Sequence, residues 1–221
     1  MIKFKVVLIP KYILTISSGK PEELMTVDIV FSRKKVAKIT KEKIEYEDVL
    51  YVPGSTLKGV LRTSACRVAS ILGYTCCNEV EPSRIETKHR NMNKICHVCE
   101  LFGYPGGPKS LIRVGDGEIE KEYVDYTTRL AVDDAMGVGR DGALFTSETI
   151  VGNGSITFPI WILRDDIWIQ RLILMSLVEL VYNGIGRGSG IGLKIVEARG
   201  FDRKDEIVSQ LLDLLERGVE F

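Results

Sequence analysis

"YVPGSTLKGVLRTSACRVASILG", residues 51–73, decides how the chain is laid out. Pro53-Gly54 makes a turn, and Ser55 or Thr56 is placed to cap a helix. Leu57, Val60, Leu61, Val68 and Leu72 then recur at helical spacing until Gly73 ends the run. Upstream of this helix the pattern is that of strands. Residues 2–16 and 24–31 are rich in Val, Ile, Leu and Phe and are separated by the turn SSGKPEE. The charged stretch SRKKVAKITKEKIEYED, 32–48, reads as a hairpin or a mobile loop.

Downstream, residues 73–108 hold four of the five cysteines and both histidines without clear periodicity, so an irregular, ligand-stapled insertion is expected there. SLIRVGDGEI predicts a strand, and residues 126–153 predict a thumb-like hairpin of two strands around a loop with Gly137, Gly139 and Gly142. SITFPIWILR alternates, with Ile156, Phe158, Ile160 and Ile162 on one side and Thr157, Pro159 and Trp161 on the other. A second amphipathic helix over 166–184, a glycine loop, the strand LKIVEARG and a terminal helix over 204–218 complete the chain. This order is α+β. It suits a ferredoxin-like sheet covered by two helices, in one domain spanning 1–221.

Apolar residues make up 45% of the 221, enough to fill a core. Thirty Lys+Arg balance thirty Asp+Glu, so any nucleic-acid contact must come from a local basic face and not from total charge. No apolar run approaches the roughly 18 residues of a membrane span. The N-terminus, broken by lysines and Pro10, reads as a strand and not as a signal peptide. The expectation is a soluble cytoplasmic protein without membrane contact. In a reducing compartment its cysteines should be thiols or metal ligands and not disulfides.

Cys76-Cys77, His89 and Cys96-His97-Val98-Cys99 have the spacing of a structural zinc site. C-x-x-C lets two thiolates reach one metal, Cys76 or Cys77 can supply a third ligand, and His89 or the other cysteine the fourth. Four such ligands leave no open position for catalysis. Reduced cysteines packed as small apolar residues are the alternative, and Cys66 on the first helix is expected to be such a thiol.

GIGRGSGIG, 184–192, places Gly184, Gly186, Gly188, Gly190 and Gly192 at every second position. A dinucleotide fingerprint needs G-x-G-x-x-G between strand and helix, and a P-loop ends in G-K-[ST]; neither is met. What remains is a flexible turn, or a backbone open to close approach with Arg187 adding a charge suited to phosphate. Lys58 and Arg62, four apart, share one helix face, by default a solvated one. Asp28 interrupts the apolar run LMTVDIVF, by default as an exposed strand end.

Four features in this order carry a resemblance: P-G-S-T-L-K-G-x-L-R at 53–62, C-x-x-C-E-L-F-G at 96–103, D-G-A-L-F at 141–145 and GIGRGSGIG at 184–192. Together they resemble the RAMP superfamily of CRISPR proteins, and most of all the backbone subunit of type III (Csm/Cmr) effector complexes. The resemblance implies a modified ferredoxin-like, RRM-like fold that binds CRISPR RNA and its complementary target RNA, joins other RAMP and type III subunits, and stacks on itself into a filament. By it, Lys58 and Arg62 face guide-RNA phosphates beside the loop of Gly184, Gly186, Arg187, Gly188 and Gly190. The hairpin over 126–153 would be the thumb, and the cysteine insertion would hold Zn2+. Asp28 would cut target RNA with Mg2+ or Mn2+, although its distance from Pro53 is longer than the pattern and is filled by a basic stretch. Two other readings stand beside this one: a stand-alone guide-RNA processing ribonuclease of the same superfamily, and a non-catalytic zinc-stapled structural subunit.

Overall fold

The computed structural model describes residues 1–17, 27–39, 43–120, 123–151, 154–186 and 190–220. Strand β1 (Ile2–Pro10) buries Ile2, Phe4, Val6 and Leu8, and the short β2 (Ile13–Leu14) follows. The charged stretch forms a hairpin of β3 (Arg33–Ile39) and β4 (Ile44–Val52), paired antiparallel from Arg33↔Leu50 to Ile39↔Ile44. Helix α1 (Gly54–Val68) runs into a 3-10 turn, Ala69–Leu72, that stops at Gly73 with φ 75°. The insertion is more ordered than its composition suggested, with α2 (Pro82–Met92) and α3 (His97–Phe102). Then come β5 (Ile112–Val114), β6 (Gly117–Glu120), β7 (Tyr123–Val132), β8 (Gly139–Val151), β9 (Ser155–Ile162), α4 (Ile167–Asn183), β10 (Ile191–Arg199) and α5 (Glu206–Arg217).

Two sheets result. The larger has the order β10-β1-β9-β6-β4-β3, with β5 also on β9, and the smaller is β2-β8-β7. The strands β10, β1, β9 and β5/β6, with crossovers through α1 and α4, give the split βαβ order of a ferredoxin-like α+β fold. Ile156, Phe158, Ile160 and Ile162 are all buried, as their alternation requires, opposite Leu8, Val6, Phe4 and Ile2 of β1. This inner face forms one core with Leu57 and Leu61 of α1, Leu172, Ile173 and Leu177 of α4, and Val208 and Leu212 of α5. Three helices, not two, therefore cover it. Helix α4 lies between α1 and α5, which explains why it is apolar around most of its circumference.

Residues 24–31 were expected to be a strand. Residues 24–26 lie outside the described residues, and 27–31 make only isolated bridges, Ile29↔Ser147 and Ser17↔Phe31. The cap of α1 also differs. Neither Ser55 nor Thr56 caps it; the N–H of Gly54 donates to Asp116 Oδ1 at 2.9 Å. Pro159 explains why Asp116 is there. A proline in a central strand cannot donate to its neighbour, and the neighbouring strand is interrupted at that level, between β5 and β6. Gly115 donates to the Pro159 carbonyl at 2.9 Å, and a Cβ on Gly115 would lie 2.8 Å from the proline ring. The interruption leaves Asp116 free to turn toward the helix.

In the smaller sheet the β7–β8 hairpin is an insertion between β6 and β9, and β2 joins it from the N-terminal part of the chain through Ile13↔Val151 and Leu14↔Ile150. β7 and β8 pair from Tyr123↔Val151 to Val132↔Gly139, closing through a turn in which Asp133 Oδ1 accepts from Ala135 and Met136. Gly139 and Gly142 lie in β8 and not in the turn.

Candidate functional site

Cys77, His89, Cys96 and Cys99 converge in the insertion, all buried, with their ligand atoms within 4.8 Å of one another. Pro82 opens α2, which delivers His89; Cys96 is the N-cap of α3, which delivers Cys99. The Cys77 and Cys99 sulfurs are 3.6 Å apart, close to the ~3.8 Å edge of a tetrahedron with Zn–S bonds of about 2.3 Å. Both ring nitrogens of His89 are buried without a hydrogen-bond partner. Such an orphaned imidazole costs about 1–3 kcal/mol unless something else engages it. Three thiols and one unsatisfied imidazole at this separation form a set that could hold a metal ion.

The electrostatics favour a thiolate at Cys96 and a thiol at Cys99. A hydrogen bond from the Cys99 thiol, opposed by burial and helped by the Cys99 N–H, pulls the Cys96 thiol down to about 4. Cys99 is pushed up in turn by donating to Cys96 and by burial. Arg62 opposes that: its Nη2 lies 3.0 Å from Cys99 Sγ, and its Nη1 donates to the Gly103 carbonyl at 2.8 Å.

Cys76 points elsewhere. It forms a disulfide with Cys66 of α1, so of the five candidate ligands it is outside the cluster. Cys66 was expected to be a thiol. The ten-residue separation brings the two together because the chain reverses at Gly73, after the 3-10 turn that follows α1.

Lys58 and Arg62 do share a face of α1, but that face packs on the insertion. Lys58 Nζ donates to Ser110 Oγ at 2.8 Å, and burial, then Arg62, lowers its pKa. Both side chains are only partly exposed. The default of a solvated helix face does not hold for either.

In the glycine loop, Gly184 caps α4 with φ 71° and Gly186 has φ 67°. A Cβ on Gly186 would lie 2.5 Å from the Thr15 carbonyl, so the close backbone approach inferred for this loop is, at this position, an approach to the chain's own strand β2 end. Gly190 accepts from the Lys11 N–H at 2.8 Å. Arg187 and Gly188 lie outside the described residues.

Asp28 is exposed beside the middle of the β7–β8 hairpin, at the level of Thr128↔Thr146. Its Oδ2 accepts from Thr146 N–H at 2.7 Å, and its own N–H donates to the Thr146 carbonyl at 3.0 Å. Beside it lies a pair that the sequence did not mark. Glu148, 2% exposed, accepts from Phe31 N–H at 2.8 Å and takes both Nη groups of Arg33, fastening segment 27–33 to β8. Only the S-E-T polar run inside an otherwise strand-like segment hinted at it.

A family model described as the RAMP superfamily matches residues 13–219. Searched by sequence against curated proteins, the chain finds no match. Among solved structures it is similar to a chain titled "Type IV-B CRISPR Complex", with a TM-score of 0.56, 14% identity, and coverage of 93% of this chain and 96% of that one. At that identity the likeness concerns the fold, and the fold agrees with the split βαβ sheet described above. With all but the first dozen residues and the last two matched by the family, the chain belongs to the RAMP superfamily.

Proposed function

We propose that the chain is a CRISPR-associated RNA-binding subunit, the backbone subunit of a type III interference complex, which holds guide RNA and its complementary target. The RAMP match over 13–219 carries this reading, and the fold shared with a chain of a CRISPR complex supports it. Guide RNA can be held through phosphates and shape, so backbone N–H groups and a few cations are sufficient. The loop of Gly184, Gly186, Arg187, Gly188 and Gly190 supplies the backbone, and Lys58 the charge. Arg62, tied to Cys99 and Gly103, acts on this groove by anchoring α1. Zn2+ is the ion that suits the Cys77, His89, Cys96 and Cys99 set, in a closed structural role.

Target cleavage rests on Asp28, which stands beside the middle of the hairpin with one carboxylate oxygen engaged by Thr146. With Mg2+ or Mn2+ offsetting phosphate charge, such a carboxylate can activate an in-line attack. The processing-ribonuclease reading lacks a free base: His89 belongs to the cysteine cluster, and His97 Nδ1 is engaged by Thr75. The deciding experiment is to purify the complex and sequence what it carries. Small RNAs of spacer length are expected, and a complex free of RNA removes the reading. Asp28→Ala should then abolish cutting of matched RNA while leaving assembly and bound guide intact; cutting that persists places catalysis elsewhere.

A further inference from the structure

Strand register places four side chains in one row on the sheet face opposite the helices. Lys3 of β1 stands opposite Trp161 of β9 on one side and Arg199 of β10 on the other, and Trp161 stands opposite Arg113 of β5. Directly opposite residues point to the same face, so the row reads Arg199, Lys3, Trp161, Arg113. At ~4.8 Å per strand it spans about 15 Å. The three cations are exposed and the indole is half-buried, with Lys3 Nζ 5.9 Å from its ring centroid.

Two features set this row apart from an ordinary solvated face. Like charges directly opposite one another destabilise a sheet, yet Lys3 faces Arg199, and among the described residues none of the three cations has a carboxylate within ion-pair distance. The row also depends on a bulge: the β1–β10 register shifts between Lys3 and Lys5, and the extra residue region includes Glu197 at φ 54°. A non-glycine residue held there costs about 1–3 kcal/mol. It directs its carboxylate to Lys5 Nζ at 2.8 Å, while Arg199 and Lys3 act on it through space without an ion-pair contact. Depressions of about 330 Å3 beside Arg113 and Trp161, and about 120 Å3 between Lys3 and Arg199 with Lys5 and Glu197 in its wall, flank the row.

We infer that this row is a binding site for single-stranded nucleic acid, with a base stacked on Trp161 and phosphates held by Arg199, Lys3 and Arg113. A row of cations around an aromatic ring is the arrangement that recognises unpaired bases and their phosphates without reading sequence; a duplex hides its base faces and fits less well. The site is separate from the glycine loop and Lys58 proposed above for guide RNA. The row crosses β1 at Lys3, whereas the glycine loop meets the chain at Lys11, about 25 Å further along at strand rise.

Trp161 itself reports on the site. The chain has two tryptophans, and Trp168→Phe leaves Trp161 as the only one. Titrating that protein with a ten-nucleotide oligouridylate at low salt should quench its fluorescence saturably, with the effect reversed by added salt. Lys3→Glu with Arg113→Glu, both exposed and so without demands on folding, should weaken the quench-reported affinity at least tenfold, and a duplex of equal length should bind more weakly than the single strand. An unquenched Trp161 in a protein with an unchanged circular dichroism spectrum overturns the inference. Equal binding of polyglutamate with the same loss in the double variant also overturns it and assigns the face to an acidic protein. Small RNA that still co-purifies with the double variant keeps the guide reading apart from either result.

Discussion

Arg62 Nη2 lies 3.0 Å from Cys99 Sγ, so a cation on the first helix is built into the cysteine cluster of the insertion. Three thiolates around a divalent ion leave one net negative charge, and the guanidinium offsets it while its second arm holds Gly103. Arg62→Gln should retain the fold and weaken metal affinity by about 10–100-fold, the range found when an outer partner of a metal ligand is removed. Competition with a chromogenic chelator measures it. Unchanged affinity would mean the contact is packing only.

Cys76 and Cys77 are adjacent in sequence and should behave oppositely. Cys76 is bonded to Cys66, whereas Cys77 is in the cluster. Native mass spectrometry should show one metal per chain in the unmodified protein and in Cys76→Ser, and none in Cys96→Ser. Because a closed site contributes its binding free energy to folding, chelation should lower Tm in the first two proteins and have no further effect in the third.

Gly186 should tolerate no side chain. Its φ of 67° and the 2.5 Å approach to the Thr15 carbonyl both oppose a Cβ. Gly186→Ala should cost about 1–3 kcal/mol, which at this chain length lowers Tm by about 3–10 °C. Gly137, at φ 65° with open space around it, carries only the conformational part of that cost and should be milder.

Asp205 links two elements through one carboxylate. Its Oδ1 caps α5 by accepting from Val208 N–H at 3.0 Å and also accepts from Arg171 Nε at 3.0 Å. Arg171 first, then the Val208 N–H, holds its pKa below the ordinary value of 3.8. A depressed carboxylate adds stability that is fully present above the unfolded-state pKa and is lost as pH falls through the folded one. Asp205→Asn should therefore lower Tm by a few degrees at pH 7, and the gap to the unmodified protein should narrow as pH falls below the ordinary aspartate value of 3.8. A gap that does not depend on pH would limit the role to capping.

The parts of the fold legible in the sequence are those where one physical pattern dominates. β9 alternates because one face is core, and α1 repeats Leu57, Leu61 and Val68 because one stripe is buried. The C-x-x-C turn is local, so its two sulfurs were predictable. What was not legible depends on residues far apart in the chain. Asp116 caps α1 from 62 positions away, Glu148 holds Arg33 from 115 away, and Arg62 reaches Cys99 across 37. Spacing on one helix showed that Lys58 and Arg62 share a face, but only packing shows that Ser110, Gly103 and Cys99 lie against it. Helix α2 leaves no periodic signal in the sequence because its apolar content is low, with Ile85 and His89 as its buried residues.

The clamp between Arg33 and Glu148 has a mechanical consequence. Segment 27–31 is bonded to β8 at Thr146, Ser147 and Glu148, so Asp28 rides on the hairpin, and the larger sheet takes hold of the chain only from Ser32, whose carbonyl accepts from Tyr51 N–H at 3.1 Å. Any tilt of the hairpin carries the carboxylate with it as part of one lever. The position of Asp28 is thus set by where the hairpin stands, and two-residue insertions in the distal turn at 133–138 would lengthen the hairpin beyond Thr146 without moving the carboxylate.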